Sequence, residues 1–350
     1  MTQSKINVLL IGPVNPTGGI AQYINELVPR LPEPFDPEVH GVDSLQDHDG
    51  FSSFLVGLID STISFVFRSE PDVAHIHTSH GASFFISSVY ILFAAKVWDS
   101  KTLIHVHGSS FDDFVTESSF PVKKYVEFVL RVGDGTIVLS DYWKDVLTSV
   151  QLEKDIYVLQ NAVDPSEYNS TEENGNTVKI AYISNLIDRK GSVESSIAFK
   201  QLCEEEVDCQ IEIAGKGINS DRMELLDEQF NQVTYHGYVS ETKKREILEN
   251  SDIYVLPSYA EGLPIAILEA MAGENAIVST NVGSIPEVVS DKNGRLIKPR
   301  STEEILEALK TLVKRSDEVE KMGTESRRMI EDKYNWDVVI EQLAQIYRNK

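Results

Sequence analysis

Short apolar, β-branched runs alternate with longer stretches of helical periodicity along the chain, and the alternation breaks once and then restarts. This pattern constrains the fold more than any other feature. Near-continuous apolar strands separated by helices specify parallel sheets covered on both faces, because a strand with one wet face would alternate polar and apolar residues. In the first half, strands are expected at Ile6–Ile11, Glu38–Val42, Val73–His77, Thr102–His107, Gly135–Leu139 and Ile156–Leu159. Helices are expected between them at Gly19–Arg30, Ser52–Arg68, Ser83–Trp98, Val122–Leu130 and Asp141–Ser149. The stretch Asp164–Thr177 is almost free of aliphatic residues and rich in Asn, Glu and Ser, so it reads as a linker at a domain boundary. Beyond it, strands are expected at Val178–Ile183, Gln210–Ala214, Val233–His236, Ile253–Pro257, Ala276–Thr280 and Gly294–Ile297. The accompanying helices are Ser192–Cys203, Asp221–Phe230, Lys243–Asn250, Pro264–Ala272, Ile285–Val289 and Thr302–Arg315, the last with Ser301 and Glu304 at capping-box spacing. The expected fold class is α/β: two Rossmann-like, doubly wound parallel-sheet domains, residues 1–165 and 166–350. An amphipathic last helix (about 336–350) would pack back on the N-terminal domain, and the cleft between the domains is the default ligand site.

Charge and cysteine content narrow the function. The chain carries 32 basic and 55 acidic side chains, a net charge of −23. The excess is spread over both halves, which makes the protein a poor binder of nucleic-acid phosphate. Cys203 and Cys209 read as buried small hydrophobes of a reduced, cytoplasmic protein, too few for a disulfide framework or a zinc site. The first apolar run, Ile6–Ile11, lacks a basic lead-in and ends at Gly12-Pro13, which suits a strand and not a signal peptide. Ala82–Trp98 is slightly short for a membrane span and carries Ser87, Ser88 and Lys96, so it reads as a buried helix.

The segment most informative about chemistry is Glu261–Glu269, EGLPIAILE. An apolar strand ends at Pro257, a short polar loop holds Glu261 and Gly262, and Pro264 suits the first turn of a helix. In an open α/β sheet, ligands bind beyond the carboxyl ends of the strands. Backbone N–H groups around Leu263, Pro264 and Ile265, less the one Pro264 lacks, favour an anion there. Glu269 lies about a turn and a half into the helix. A buried carboxylate at that depth is costly unless it meets hydroxyls or a cation. Two carboxylates flanking an anion-binding helix start suit a ligand with phosphates and sugar hydroxyls; the plainer reading is two solvated helix acids.

Five histidines, His75, His77, His80, His105 and His107, fall on two expected strands and the loop after one of them. Residues i and i+2 of a strand share a face, so His75 with His77, or His105 with His107, offer a metal-ligand spacing. No cysteine or Glu-x-x-His pattern joins them, and no metal is expected. Gly108 after His107 puts that histidine at the functional end of its strand. Asp47-His48-Asp49 mimics a metal-binding Asp-x-Asp but fits solvated turn residues better. Gly215-Lys216-Gly217 follows a strand without the third glycine of a dinucleotide fingerprint, so it reads as a phosphate-adjacent loop or simply a turn. Lys123, Lys124 and Arg131 read first as a solvated helix face; contact with an anionic lipid-linked acceptor at the membrane is the sharper alternative.

Taken in order, these segments resemble the retaining, nucleotide-sugar-dependent glycosyltransferases of family four, which have the GT-B fold. Glu261–Glu269 is similar to the family's paired-glutamate motif, and Gly12–Ala21 (GPVNPTGGIA) to its N-terminal glycine loop. His105-Val106-His107-Gly108, Asn161-Ala162-Val163-Asp164, Asn185–Gly191 and His236–Val239 resemble, respectively, its acceptor-side histidine segment, the close of its first domain, its donor-phosphate loop and the strand end beside the base. The resemblance implies transfer of a sugar from a nucleotide-diphosphate sugar to a hydroxyl acceptor, with no cofactor, in polysaccharide or lipid-linked glycan biosynthesis. It implies that Glu261 meets the donor sugar, Glu269 the ribose hydroxyls, Lys190 the diphosphate and Val239 the nucleobase. Gly18 and Gly19 would let the first loop approach the diphosphate, and His107 would sit beside the anomeric carbon. The family usually has Arg where this chain has Asn185, which supplies hydrogen bonds but no cation; Arg189, or the helix starts with Lys190, would then carry the charge. A nucleotide-sugar hydrolase or epimerase of the same fold, or a non-catalytic sugar-nucleotide binder, are the alternatives. The sugar, the base, the acceptor and the oligomeric state are not encoded in these motifs.

Overall fold

The computed structural model describes residues 4–14, 18–42, 51–149, 154–169 and 177–349, with the side chains of 51–56 left aside. The chain divides into two compact units, residues 1–161 with 339–350, and residues 162–338. Asp47-His48-Asp49 and most of the polar stretch after Asn169 lie outside the described residues.

The first unit is built on six parallel strands: β1 (Ile6–Gly12), β2 (Phe35–Gly41), β3 (Val73–Thr78), β4 (Lys101–Val106), β5 (Gly135–Val138) and β6 (Asp155–Val158), in the order β2-β1-β3-β4-β5-β6. Its helices are α1 (Gly19–Leu27), α2 (Phe51–Val66), α3 (Ala82–Lys96), α4 (Phe111–Glu117), α5 (Phe120–Val132) and α6 (Asp141–Ser149). All of β3 is buried, as its unbroken apolar and histidine run requires. The strand order reverses between β1 and β3, so the loops that follow those two strands diverge and leave a crevice at their carboxyl ends.

The second unit repeats the plan. Strands β7 (Val178–Ile183), β8 (Cys209–Ala214), β9 (Val233–Tyr235), β10 (Ile253–Leu256), β11 (Ala276–Thr280) and β12 (Gly294–Ile297) form a parallel sheet in the order β12-β11-β10-β7-β8-β9. Helices α7 (Ser192–Glu204), α8 (Ser220–Gln229), α9 (Glu241–Glu249), α10 (Ile265–Ala272), α11 (Ile285–Val288), α12 (Thr302–Val313) and α13 (Ser316–Met329) accompany it, and α14 (Trp336–Arg348) carries the chain back into the first unit. The core packs Tyr182, Phe199, Leu202, Ile211, Ile213 and Val255 of the sheet and α7 against Leu309 and Leu312 of α12, all fully buried. Each such side chain contributes roughly 1.5–3 kcal/mol. Exposed ion pairs such as Lys5–Asp36 (3.1 Å) contribute about 0–1 kcal/mol, so burial decides the stability. Here the order reverses between β7 and β10, and the loops after those strands open the crevice of this sheet.

Several local details differ from the sequence reading. Phe111–Glu117 and Ser316–Met329 are helices that it left unassigned. Pro264 caps α10 from outside the first turn, with extended backbone (φ −70°, ψ 119°). Only half of the capping box forms at α12: Ser301 Oγ accepts from the Glu304 N–H (3.2 Å), while the Glu304 carboxylate accepts from the Lys298 N–H (2.7 Å). Ala82–Trp98 is a helix of fifteen residues followed by its cap, and among the described residues no helix is long and apolar enough to cross a membrane.

Candidate functional site

At the reversal point of the second sheet, the loop after β7 holds Asn185 to Lys190 and the loop after β10 holds Ser258 to Pro264. Backbone bonds stitch the two together: the Tyr259 N–H donates to the Arg189 carbonyl at 2.8 Å. Lys190 Nζ donates to Glu261 Oε1 at 2.5 Å, and an Arg189 guanidinium nitrogen lies 4.0 Å from Glu261 Oε2 while donating to the Ala260 carbonyl at 2.8 Å. Glu261 is almost fully buried, at 5% exposure, so its charge requires the lysine beside it. Two glycines make this arrangement possible. Gly191 follows Lys190 at φ +69°, and a Cβ there would stand 2.3 Å from the Pro257 carbonyl oxygen. Gly283, at φ +53°, would put a Cβ 2.0 Å from the carbonyl oxygen of Glu261. Only glycine adopts these angles without strain, and only glycine lets the backbones approach so closely.

Helix α10 starts beside this pair. The Ile267 and Leu268 N–H groups turn back to the Pro264 carbonyl (3.1 and 3.4 Å), whereas those of Ile265 and Ala266 donate to no acceptor among the described residues. Together with the helix dipole, two open donors make an anion-seeking end. Gly262 and Leu263, both buried, lead into it, and the Gly262 carbonyl is held by the Ser284 N–H at 3.0 Å. Further along α10, Glu269 is 5% exposed and its Oε1 accepts from Lys244 Nζ of α9 at 2.8 Å. Lys244 also pairs with Glu241. Burial opposes the charge on Lys244, but Glu269 and Glu241 outweigh it and hold the ammonium above its ordinary value. Both glutamates of the motif are thus buried ions with their own lysine, and not solvated helix acids.

The remaining residues singled out in this unit lie around the same strand ends. Asn185 is exposed, and its carbonyl accepts from the Ile187 N–H at 2.9 Å. Gly215, at φ +136°, follows β8; its N–H donates to the Gly237 carbonyl (2.7 Å) and its carbonyl accepts from the Tyr235 hydroxyl (2.9 Å). Val239 is half-buried just past that turn. Sequence reasoning missed Lys244, because no local spacing rule links it to a partner twenty-five residues away. It also missed Arg300, which stacks over the Tyr259 ring at 4.5 Å while Tyr259 donates its hydroxyl to Glu194 (2.6 Å).

In the first unit, Gly18 caps α1 with extended backbone, and a Cβ at Gly18 or Gly19 would meet nothing within 4 Å. Four imidazoles stack on β3 and at the end of β4. His77 Nδ1 lies 2.9 Å from His107 Nε2, His75 Nε2 lies 3.2 Å from His105 Nδ1, and His75 Nδ1 lies 2.7 Å from the Tyr347 hydroxyl of α14. His75, His77 and His105 are sealed from solvent, while His107 is partly exposed. Burial pushes His75 and His107 down to about 3 and holds His77 and His105 well below the ordinary imidazole value, the neighbouring rings adding to the effect for all but His107. All four rings are therefore neutral at physiological pH. Ring nitrogens of His75, His77 and His105 lie within 4.8 Å of one another, a grouping with the right donors for a borderline metal. Two of those three rings, however, already satisfy each other.

Comparison with known proteins shows what the second unit is similar to. Residues 164–329 match the family described as glycosyl transferases group 1. That match spans nearly all of the second unit. An uncharacterized glycosyltransferase of Methanocaldococcus jannaschii is 27% identical over 275 residues, spanning 73% of this chain and 70% of the relative. Among solved structures, sucrose-phosphate synthase from Thermosynechococcus elongatus superposes with a TM-score of 0.79 at 15% identity, covering 98% of both chains. HepE of Anabaena, in complex with UDP and glucose, superposes at 0.75 and 14% identity, over 97% of this chain and 99% of its own. At such identities the structural likeness establishes the two-domain GT-B fold and nothing finer.

Proposed function

We propose that this chain is a group 1 glycosyltransferase that moves a sugar from a nucleotide-diphosphate sugar to a hydroxyl acceptor with retention of anomeric configuration, without a metal, in polysaccharide or lipid-linked glycan assembly. The observation that carries the reading is the pair of buried, lysine-matched glutamates on either side of an open helix start: Lys190–Glu261 and Lys244–Glu269 flanking the Ile265 and Ala266 N–H groups. Lys190 has three donors and spends one on Glu261, so it can hold a diphosphate oxygen without abandoning the carboxylate. Arg189, beside the same carboxylate, is the cation available to replace the arginine the family usually has at the position of Asn185. Glu269 takes the ribose hydroxyls, and Val239 lies against the base.

The sugar–phosphate bond breaks toward an oxocarbenium-like state. Lys190 and the two N–H dipoles stabilise the charge that builds on the leaving diphosphate, because they are aimed before the reaction starts. The acceptor oxygen forms its bond on the face the diphosphate leaves, and a diphosphate oxygen takes the acceptor proton. Glu261 orients sugar hydroxyls and is not a covalent nucleophile. His107 orients the sugar or the acceptor. HepE in complex with UDP and glucose supports a nucleotide-sugar donor. The test is to follow nucleoside diphosphate release from a panel of UDP-, GDP- and ADP-sugars with and without glycan acceptors, and to read the anomeric configuration of the product. Acceptor-dependent release with a retained linkage is expected. Release without any acceptor would mean a hydrolase, and tight binding without release a non-catalytic binder.

A further inference from the structure

The stacked histidines of the first unit carry a second piece of information: where their protons are. A neutral imidazole has one N–H and one bare nitrogen, and the bond made at one nitrogen dictates the state of the other. His77 Nε2 is sealed from solvent and has no hydrogen-bond partner among the described residues, and the same holds for His105 Nε2. A buried N–H with nothing to donate to is rarer in proteins than an under-used acceptor. Both sealed nitrogens are therefore the bare ones, and both rings carry their hydrogen on Nδ1. His105 Nδ1–H then donates to His75 Nε2 (3.2 Å), which leaves His75 with an Nδ1–H directed at the Tyr347 hydroxyl (2.7 Å). His77 Nδ1–H donates to His107 Nε2 (2.9 Å). One rule assigns both couples without conflict.

We infer that His77 is a positioning residue: it fixes His107 as the Nδ1–H tautomer, so that the one residue of the cluster with solvent exposure presents a hydrogen-bond donor to a substrate oxygen. The inference rests on the proposed role of His107 and deepens it, since it says which atom does the orienting and excludes a ring that accepts a proton from the acceptor through Nε2. The backbone joins in the positioning, because the His107 N–H donates to the Thr78 carbonyl at 2.8 Å and anchors the end of β4 to β3. The Tyr23 ring packs 5.8, 5.4 and 5.2 Å from the rings of His77, His105 and His107 and leaves little room for a different stacking.

Ring 15N chemical shifts of the ligand-free protein report the tautomer without any substrate. His107 is expected to carry its hydrogen on Nδ1 in the wild type. His77→Phe should release it to a mixture containing the Nε2–H form. His77→Asn, whose amide N–H falls near the lost Nδ1–H, should restore it. Transfer should fall at least about tenfold in His77→Phe and recover in His77→Asn, as when a catalytic histidine loses its tautomer-fixing partner. A wild-type His107 protonated on Nε2, or a tautomer ratio untouched by His77→Phe, would overturn the inference even if that variant is inactive. If the shifts behave as expected but His107→Ala transfers sugar like the wild type, the proposed role of His107 is what fails.

Discussion

Lys190 and Glu261 are each meaningful only beside the other. The carboxylate is 7% exposed at its side chain and the ammonium 16%, so removing one strands a buried charge, which costs about 3 kcal/mol. The two deletions are therefore expected to look alike in stability and different in function. Lys190→Ala should lower the melting temperature and weaken nucleoside-diphosphate binding, since the anion loses its cation. Glu261→Ala should lower the melting temperature as well, leave nucleoside-diphosphate affinity unchanged or tighter, and cut sugar transfer by about a hundredfold or more. Calorimetry with the free nucleotides and a transfer assay separate the two. Equal loss of nucleotide affinity in both variants would contradict the roles assigned here. Asn185, by contrast, is exposed, and its side chain makes no hydrogen bond among the described residues.

At the scale of elements, the strands β3 and β4 carry a pH dependence that follows from their buried rings. An unfolded chain protonates histidine near pH 6.5, whereas the folded His75 and His107 wait until about 3. The unfolded state thus binds more protons between those values, so the stability these rings support is complete above pH 6.5 and drains away as pH falls toward 3. Denaturant melts from pH 7.5 to 4 should show this loss, and His75→Gln should flatten the slope. A wild-type slope unchanged by that substitution would mean the rings are not buried as described. The elements themselves were largely legible in sequence, because near-continuous apolar runs such as Val73–His77 and Ile253–Pro257 can only be covered parallel strands. The helices Phe111–Glu117 and Ser316–Met329 were not legible. The first is short and acidic at its start, and the second is mostly polar and exposes much of its surface. The two motif glutamates could be found from their spacing around Pro264, whereas the cation for Glu269 could not, since α9 reaches it only through the packing of the folded unit. The hydrogen-bonded stacking of four histidines was visible only as a shared strand face.

For the molecule as a whole, the repeat of one architecture explains where the candidate site residues gather. Both sheets have six parallel strands and one reversal in strand order, and in each unit residues singled out by chemistry follow the strands at that reversal: Gly18 and Gly19 after β1, Asn185 to Lys190 after β7, and Glu261 to Pro264 after β10. The excess negative charge of the chain, −23, makes local cations scarce, which sharpens the meaning of Lys190, Arg189 and Lys244 beside two buried carboxylates. The central claim is that a diphosphate lodges against the start of α10. It is tested most directly by titrating the protein with UDP-, GDP- and ADP-sugars while following the backbone amide resonances of Ile265 and Ala266. One of these donors should move both amides saturably, and Lys190→Ala should weaken that response. A donor that binds without touching either amide, or whose effect is indifferent to Lys190, would contradict the account.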